Sequence, residues 1–122
     1  MKIRIKGNSI RIRLTKPEVG QLAETGRIEE QTMFANNRLV YSLQSTDSVS
    51  ELSAAYHADT ITMFVPTQLI QGWQLNDVVG FSANMAINEN DNLYLLLEKD
   101  FVCLDETSED QSNNYENPNK TC

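Results

Sequence analysis

The chain has 122 residues, 40% hydrophobic and 22% charged, with a formal net charge of −7. That is the size of one domain able to bury a core without disulfide or metal staples. No apolar run approaches the roughly 20 residues of a membrane helix, and the alternating start has no apolar signal core, so a cytoplasmic protein is expected.

Residues 2–14 alternate strictly. Ile3, Ile5, Ile10, Ile12 and Leu14 take the apolar positions, and basic residues fall between them. Period-two alternation is the strand signal, and Gly7-Asn8 is a good two-residue turn. A hairpin is predicted, with Ile3, Ile5, Ile10 and Ile12 on one buried face. Thr15 then caps a helix that has Pro17 and Glu18 in its first turn and Gly26 as its stop. Val19 and Leu22 face the core. Residues 28–35 and 38–44 read as strands around Asn36-Asn37, with Leu39, Tyr41 and Leu43 on one face. Residues 52–58 and 60–65 form another pair of short strands with Asp59 between them. Pro66 and Thr67 open a short helix carrying Leu69, Ile70 and Trp73. Two longer strands follow, at 77–87 and 92–100, joined through Asn88-Glu89-Asn90-Asp91. Val79, Phe81, Ala83, Met85 and Ile87 share one face of the first. Leu95, Leu96 and Leu97 are consecutive, which predicts burial on both faces.

The element order is ββαββ followed by ββαββ. The fold class is α+β: mainly antiparallel β, about eight strands, closing into a barrel or forming a curved sheet, with two short helices. Closure would remove exposed edges. The helix starts look alike, Leu14-Thr15-Lys16-Pro17 beside Val65-Pro66-Thr67-Gln68, in keeping with an old duplication. Residues 1–102 are assigned to the domain. Residues 103–122 form an acidic, asparagine-rich tail, expected to be extended or partly disordered and dispensable for folding.

Charge is unevenly placed. Six of the ten basic residues lie in the first sixteen positions, and the remainder holds four basic against seventeen acidic. Such an acidic body argues against nucleic acid as a partner. In the predicted hairpin Lys6 opposes Ser9, Arg4 opposes Arg11, and Lys2 opposes Arg13. Like charges directly opposed destabilise a strand pair. Lys2, Arg4, Lys6, Arg11 and Arg13 therefore need a counter-charge. One reading is a solvated face paired to Glu29, Glu30 or the acidic tail. The other is an anion site for a phosphate- or carboxylate-bearing small molecule, since guanidinium forks suit both groups.

Other chemistry is thin. His57 is the only histidine, so no paired-histidine metal site exists, and it reads as structural. A dyad with Cys103 has no recognisable signature behind it. Cys103 and Cys122 are too few for a disulfide framework, and the sequon Asn119-Lys120-Thr121 matters only in a secreted chain. The acidic tail lacks calcium-loop spacing and a CxxC pair. No phosphate-binding glycine loop, nucleophile elbow or HExxH occurs. No cofactor or metal is assigned, and no membrane partner is expected.

The opening from Met1 to Thr15, the stretch Leu97-Glu98-Lys99-Asp100-Phe101 and the later Glu109-Asp110-Gln111-Ser112 resemble a family of short bacterial proteins of unknown function. That resemblance covers nearly the whole chain and implies no activity. The strand and helix order also resembles the triphosphate tunnel (CYTH-like) enzymes, whose eight-stranded barrel encloses a charged channel. It implies Lys2, Arg4, Lys6, Arg11 and Arg13 as phosphate-facing residues, with Glu29, Glu30 and Glu98 as metal holders. Those enzymes open with ExExK, whereas this chain has Lys2-x-Arg4-x-Lys6, so an anion-binding barrel carries over and the catalysis does not. The leading expectation is a non-enzymatic binding or interaction module. The alternative is a metal-dependent triphosphate or phosphate-ester hydrolase of tunnel-barrel type.

Overall fold

The alternating opening residues fold as expected. In the computed structural model, which describes residues 1–101 and Tyr115, β1 (Lys2–Ile5) and β2 (Ser9–Leu14) form an antiparallel hairpin. Its register is Lys2↔Arg13, Ile3↔Ile12, Arg4↔Arg11 and Ile5↔Ile10. Gly7 supplies the positive φ of 54° that the turn needs. The carboxamide of Asn8 donates to the Asn92 carbonyl at 2.6 Å, which anchors the turn.

Helix α1 (Lys16–Thr25) starts at Thr15. Oε1 of Glu18 accepts from the Thr15 N–H at 2.9 Å and from its hydroxyl at 3.1 Å, so the first turn has its capping partner. Gly26 ends the helix in the left-handed region, donating to the Leu22 carbonyl. The chain continues through β3 (Arg27–Met33), β4 (Arg38–Thr46), β5 (Ser53–His57) and β6 (Thr60–Pro66). Next come the short helix α2 (Thr67–Ile70) and a 3₁₀ turn (Trp73–Leu75). The strands β7 (Gly80–Ala86) and β8 (Asn92–Lys99) follow.

These strands form two four-stranded sheets, ordered β1-β2-β8-β7 and β3-β4-β6-β5. The α+β class and the strand order hold, but the sheets do not close into a barrel. Each sheet takes one hairpin from each half of the chain. The join is parallel in both, β2 with β8 and β4 with β6, and the outer pairs are antiparallel. Exchanging the halves turns one sheet order into the other, which accords with the duplication read from the helix starts.

The inner faces pack together. Ile12, Leu14, Leu95 and Leu97 of the first sheet meet Ile28, Leu43, Met63 and Val65 of the second, with Val19, Leu22 and Trp73 from the helical end. Burying each large aliphatic side chain contributes about 1.5–3 kcal/mol. Trp73 is fully buried, and its indole N–H donates to the Val78 carbonyl at 2.8 Å. At the opposite end the sheets leave an apolar cleft of about 300 Å³, lined by Ile10, Leu39, Tyr56, Ile61 and Leu93 among others.

That open end corrects one expectation. Ile10 and Ile12 are buried and Ile3 is half-buried, but Ile5 is 56% exposed. It sits at the end of an edge strand, in the last row before the cleft, where no described residue covers it. Leu96 departs similarly: Leu95 and Leu97 are fully buried, whereas Leu96 is half-buried on the outer face. The tail from residue 103 onward lies outside the described residues, apart from Tyr115. That residue pairs with Phe101 in an isolated parallel bridge, and its N–H donates to the Asp100 carbonyl at 2.6 Å.

Candidate anion-binding face

Strand alternation places the five predicted cations together. The inner row of the first sheet is Ile3-Ile12-Leu97-Phe81. The residues between them therefore face outward, as rows Lys2-Arg13-Glu98-Gly80 and Arg4-Arg11-Leu96-Ser82. Lys6 and Ser9 flank the turn, beside the row Ser9-Tyr94-Asn84.

Much of this charge has a counter-charge, but not the one expected. Glu98 Oε1 accepts from Arg11 Nε at 2.7 Å and from Arg13 Nε at 3.0 Å, and Arg11 Nη2 also contacts it. Lys2 lies 2.8 Å from Oδ2 of buried Asp100, as an ion pair without hydrogen-bond geometry. Glu29 instead pairs with Arg27 at 2.8 Å. Glu30 accepts from the Tyr41 hydroxyl at 3.3 Å and faces the N-terminal amine at 3.5 Å. Burial, and then the Glu30 charge, push the Tyr41 hydroxyl pKa up.

Glu98 reaches the arginines because β8 lies beside β2 in parallel register, which no local signal in the sequence reveals. Gly80 makes room for it. A Cβ on Gly80 would meet the Leu97 carbonyl and stand 2.7 Å from the Glu98 Cβ.

Arg4 and Lys6 form no ion pair with any described residue. They line an open depression of about 270 Å³ with Ser9, Arg11, Tyr94 and Leu96. Three cations, of which Arg11 is already paired to Glu98, and a hydroxyl thus border a floor of aromatic and aliphatic surface. Tyr94 and Leu96 were missed as site residues, because their place on the outer face depends on the same parallel pairing.

The carboxylates implied as metal holders do not converge. Glu98 belongs to the arginine cluster, and Glu29 and Glu30 lie on β3 in the other sheet. No group of three or more metal-ligating side chains occurs among the described residues. His57 is exposed at the end of β5, and Cys103 lies outside the described residues.

Lys99 was also missed. It is 4% exposed on the inner face, donates to the Asn76 carbonyl at 2.7 Å, and stands over the rings of Trp73 and Tyr115. Burial lowers its pKa, partly opposed by Asp77. Burial likewise raises that of the Tyr115 hydroxyl. These contacts fix Lys99 as a structural cation under the aromatic end of the core.

The fold and site define a small two-sheet α+β protein with a basic outer face. The chain belongs to a family of unknown function (DUF7009), whose match spans residues 1–119. No curated protein and no solved structure matches it. Among the described residues no helix is long and apolar enough to cross a membrane.

Proposed function

We propose that the protein is a binding module for a small phosphate- or carboxylate-bearing molecule, held on the outer face of the first sheet. One observation carries this reading. Arg4 stands across from Arg11 and has no carboxylate partner among the described residues, in a depression that also holds Lys6 and Ser9. A guanidinium fork and an ammonium there match the geometry and charge of an oxyanion. Tyr94 and Leu96 offer a flat apolar surface for the rest of the ligand. The acidic body disfavours nucleic acid, so a small anion fits better than a polymer backbone. With only two cysteines, a cytoplasmic setting fits the same reading.

The test is a thermal-shift series with inorganic phosphate, polyphosphate and citrate. A ligand that binds only the folded state raises the unfolding temperature by mass action. Wild type should shift, Arg4→Gln should shift less, and the gap should narrow with added salt. Equal shifts in both proteins would remove the anion site.

A further inference from the structure

Among the described residues the two sheets present four edge strands, and three are blocked to further pairing. β1 is four residues long and carries Lys2 and Arg4. β3 carries Arg27, Glu29 and Glu30. β5 ends in His57, and the Ala54 N–H already meets the Met85 sulfur at 3.4 Å. Charges and short length are the usual protections of a sheet edge. β7 has neither: Gly80-Phe81-Ser82-Ala83-Asn84-Met85-Ala86 is seven residues long, without charge or proline.

Its backbone groups can be assigned. The Lys99 N–H donates to the Val79 carbonyl, and the Ile87 N–H donates to the Asp91 carbonyl. In the β7–β8 register these are hydrogen-bonded pairs, so Phe81, Ala83 and Met85 also point their backbone groups at β8. Gly80, Ser82, Asn84 and Ala86 then point theirs outward, where no described residue bonds them.

We infer that β7 pairs with β7 of a second copy of this chain, antiparallel about a twofold axis at Ala83, joining two first sheets into one. The strand is self-complementary in that register. Ser82 meets Asn84 of the second copy and Gly80 meets Ala86, and these are the residues whose N–H and C=O groups no described residue bonds. Ala83 meets Ala83 in a non-hydrogen-bonded pair, where strands come closest and small side chains fit. Phe81 meets Met85, so two apolar residues on the inner face adjoin across the seam. Beyond the strand, Val79 (43% exposed) meets Ile87 (52% exposed), so two surface apolar residues find partners. A shift of one residue would lose every one of these matches and leave the backbone groups out of phase.

The experiment is sedimentation equilibrium across a concentration series, on wild type, Asn84→Pro and Ser82→Lys, with circular dichroism as the check on folding. Asn84→Pro deletes an outward N–H and no bond to β8, a change that edge strands tolerate. Ser82→Lys adds the charge that the edge lacks, on an exposed position. The expected result is a wild-type dimer, tightened by salt because two acidic bodies repel while the contact itself is neutral. Both variants should be folded monomers, and Ala55→Lys on β5 should remain a dimer. If Asn84→Pro fails to fold, Ser82→Lys decides. A monomeric wild type, or a folded Ser82→Lys that still dimerises, would overturn the inference.

Discussion

Arg4 and Arg11 face each other across the hairpin, and among the described residues only Arg11 of the two reaches a carboxylate, Glu98 from the neighbouring strand. The same like-charge pair thus contains one neutralised and one unneutralised member. Their substitutions should have opposite signs. Arg4→Gln relieves repulsion and should raise stability by a few tenths of a kcal/mol. Arg11→Gln removes a partner from half-buried Glu98 and should lower it by about 1 kcal/mol, the half-exposed site discounting the usual value for charged hydrogen bonds. Urea unfolding of both variants without ligand reads the difference. A matching sign would mean that Glu98 does not neutralise the pair as described.

Gly80 is the residue on which the placement of Glu98 depends. In Gly80→Ala the added methyl meets the Leu97 carbonyl and the Glu98 side chain. The strands must separate locally, at an expected cost of about 1–3 kcal/mol. Arg11 and Arg13 should loosen with Glu98, and phosphate should then stabilise this variant more than wild type. Denaturant unfolding with and without phosphate checks both statements.

Glu18 links helix α1 to the N-terminal amine. Burial pushes its carboxyl pKa up, but hydrogen bonds from the amine and from Thr15, with the amine's charge, outweigh this and leave it below its ordinary value. A carboxyl whose pKa is lower in the folded state contributes stability above its unfolded pKa and loses it as pH falls through the folded one. The contribution should therefore fade across the acid window between those two values. Glu18→Gln should show a shallower loss of stability there, with the two proteins converging at the lowest pH. Parallel curves through that window would contradict the linkage.

Tyr115 closes the helical end. Its ring stacks edge-on against Phe101 at 5.9 Å and lies under the ammonium groups of Lys99 at 5.0 Å and Lys16 at 5.5 Å. Tyr115→Ala should cost about 0.5–1.5 kcal/mol, in the range of one aromatic pair. Tyr115→Phe should cost little, since ring contacts and not the hydroxyl make the site. Thermal unfolding of the two variants separates these outcomes.

The legible parts of the fold were local. The hairpin register followed from strict alternation around Gly7-Asn8, and the helix limits from Thr15, Glu18 and Gly26, because turn and cap chemistry acts within a few residues. The five cations were found on one face for the same reason. Their partner was not, because Arg11 and Glu98 lie 87 residues apart and meet through parallel strands with no connecting turn to signal it. Ile5 shows a second limit. Alternation says which face a side chain takes, but not whether that row is covered. Leu96 shows the converse: three consecutive leucines imply two buried faces, but here the outer one floors an open depression.

The exchange of hairpins between the halves sets the order in which the chain can assemble. The second sheet needs only residues 27–66, so its strands can find one another early and within a short span. The first sheet brings together the two ends of the described domain and waits for β8, whose pairing with β2 closes a loop of most of the domain's length. Closure of such long loops slows folding far more than it weakens the product. Until β8 arrives, the amino-terminal hairpin has its apolar face uncovered beside one half-made sheet. The slow step in refolding is therefore expected to be the capture of that waiting hairpin by the last strand.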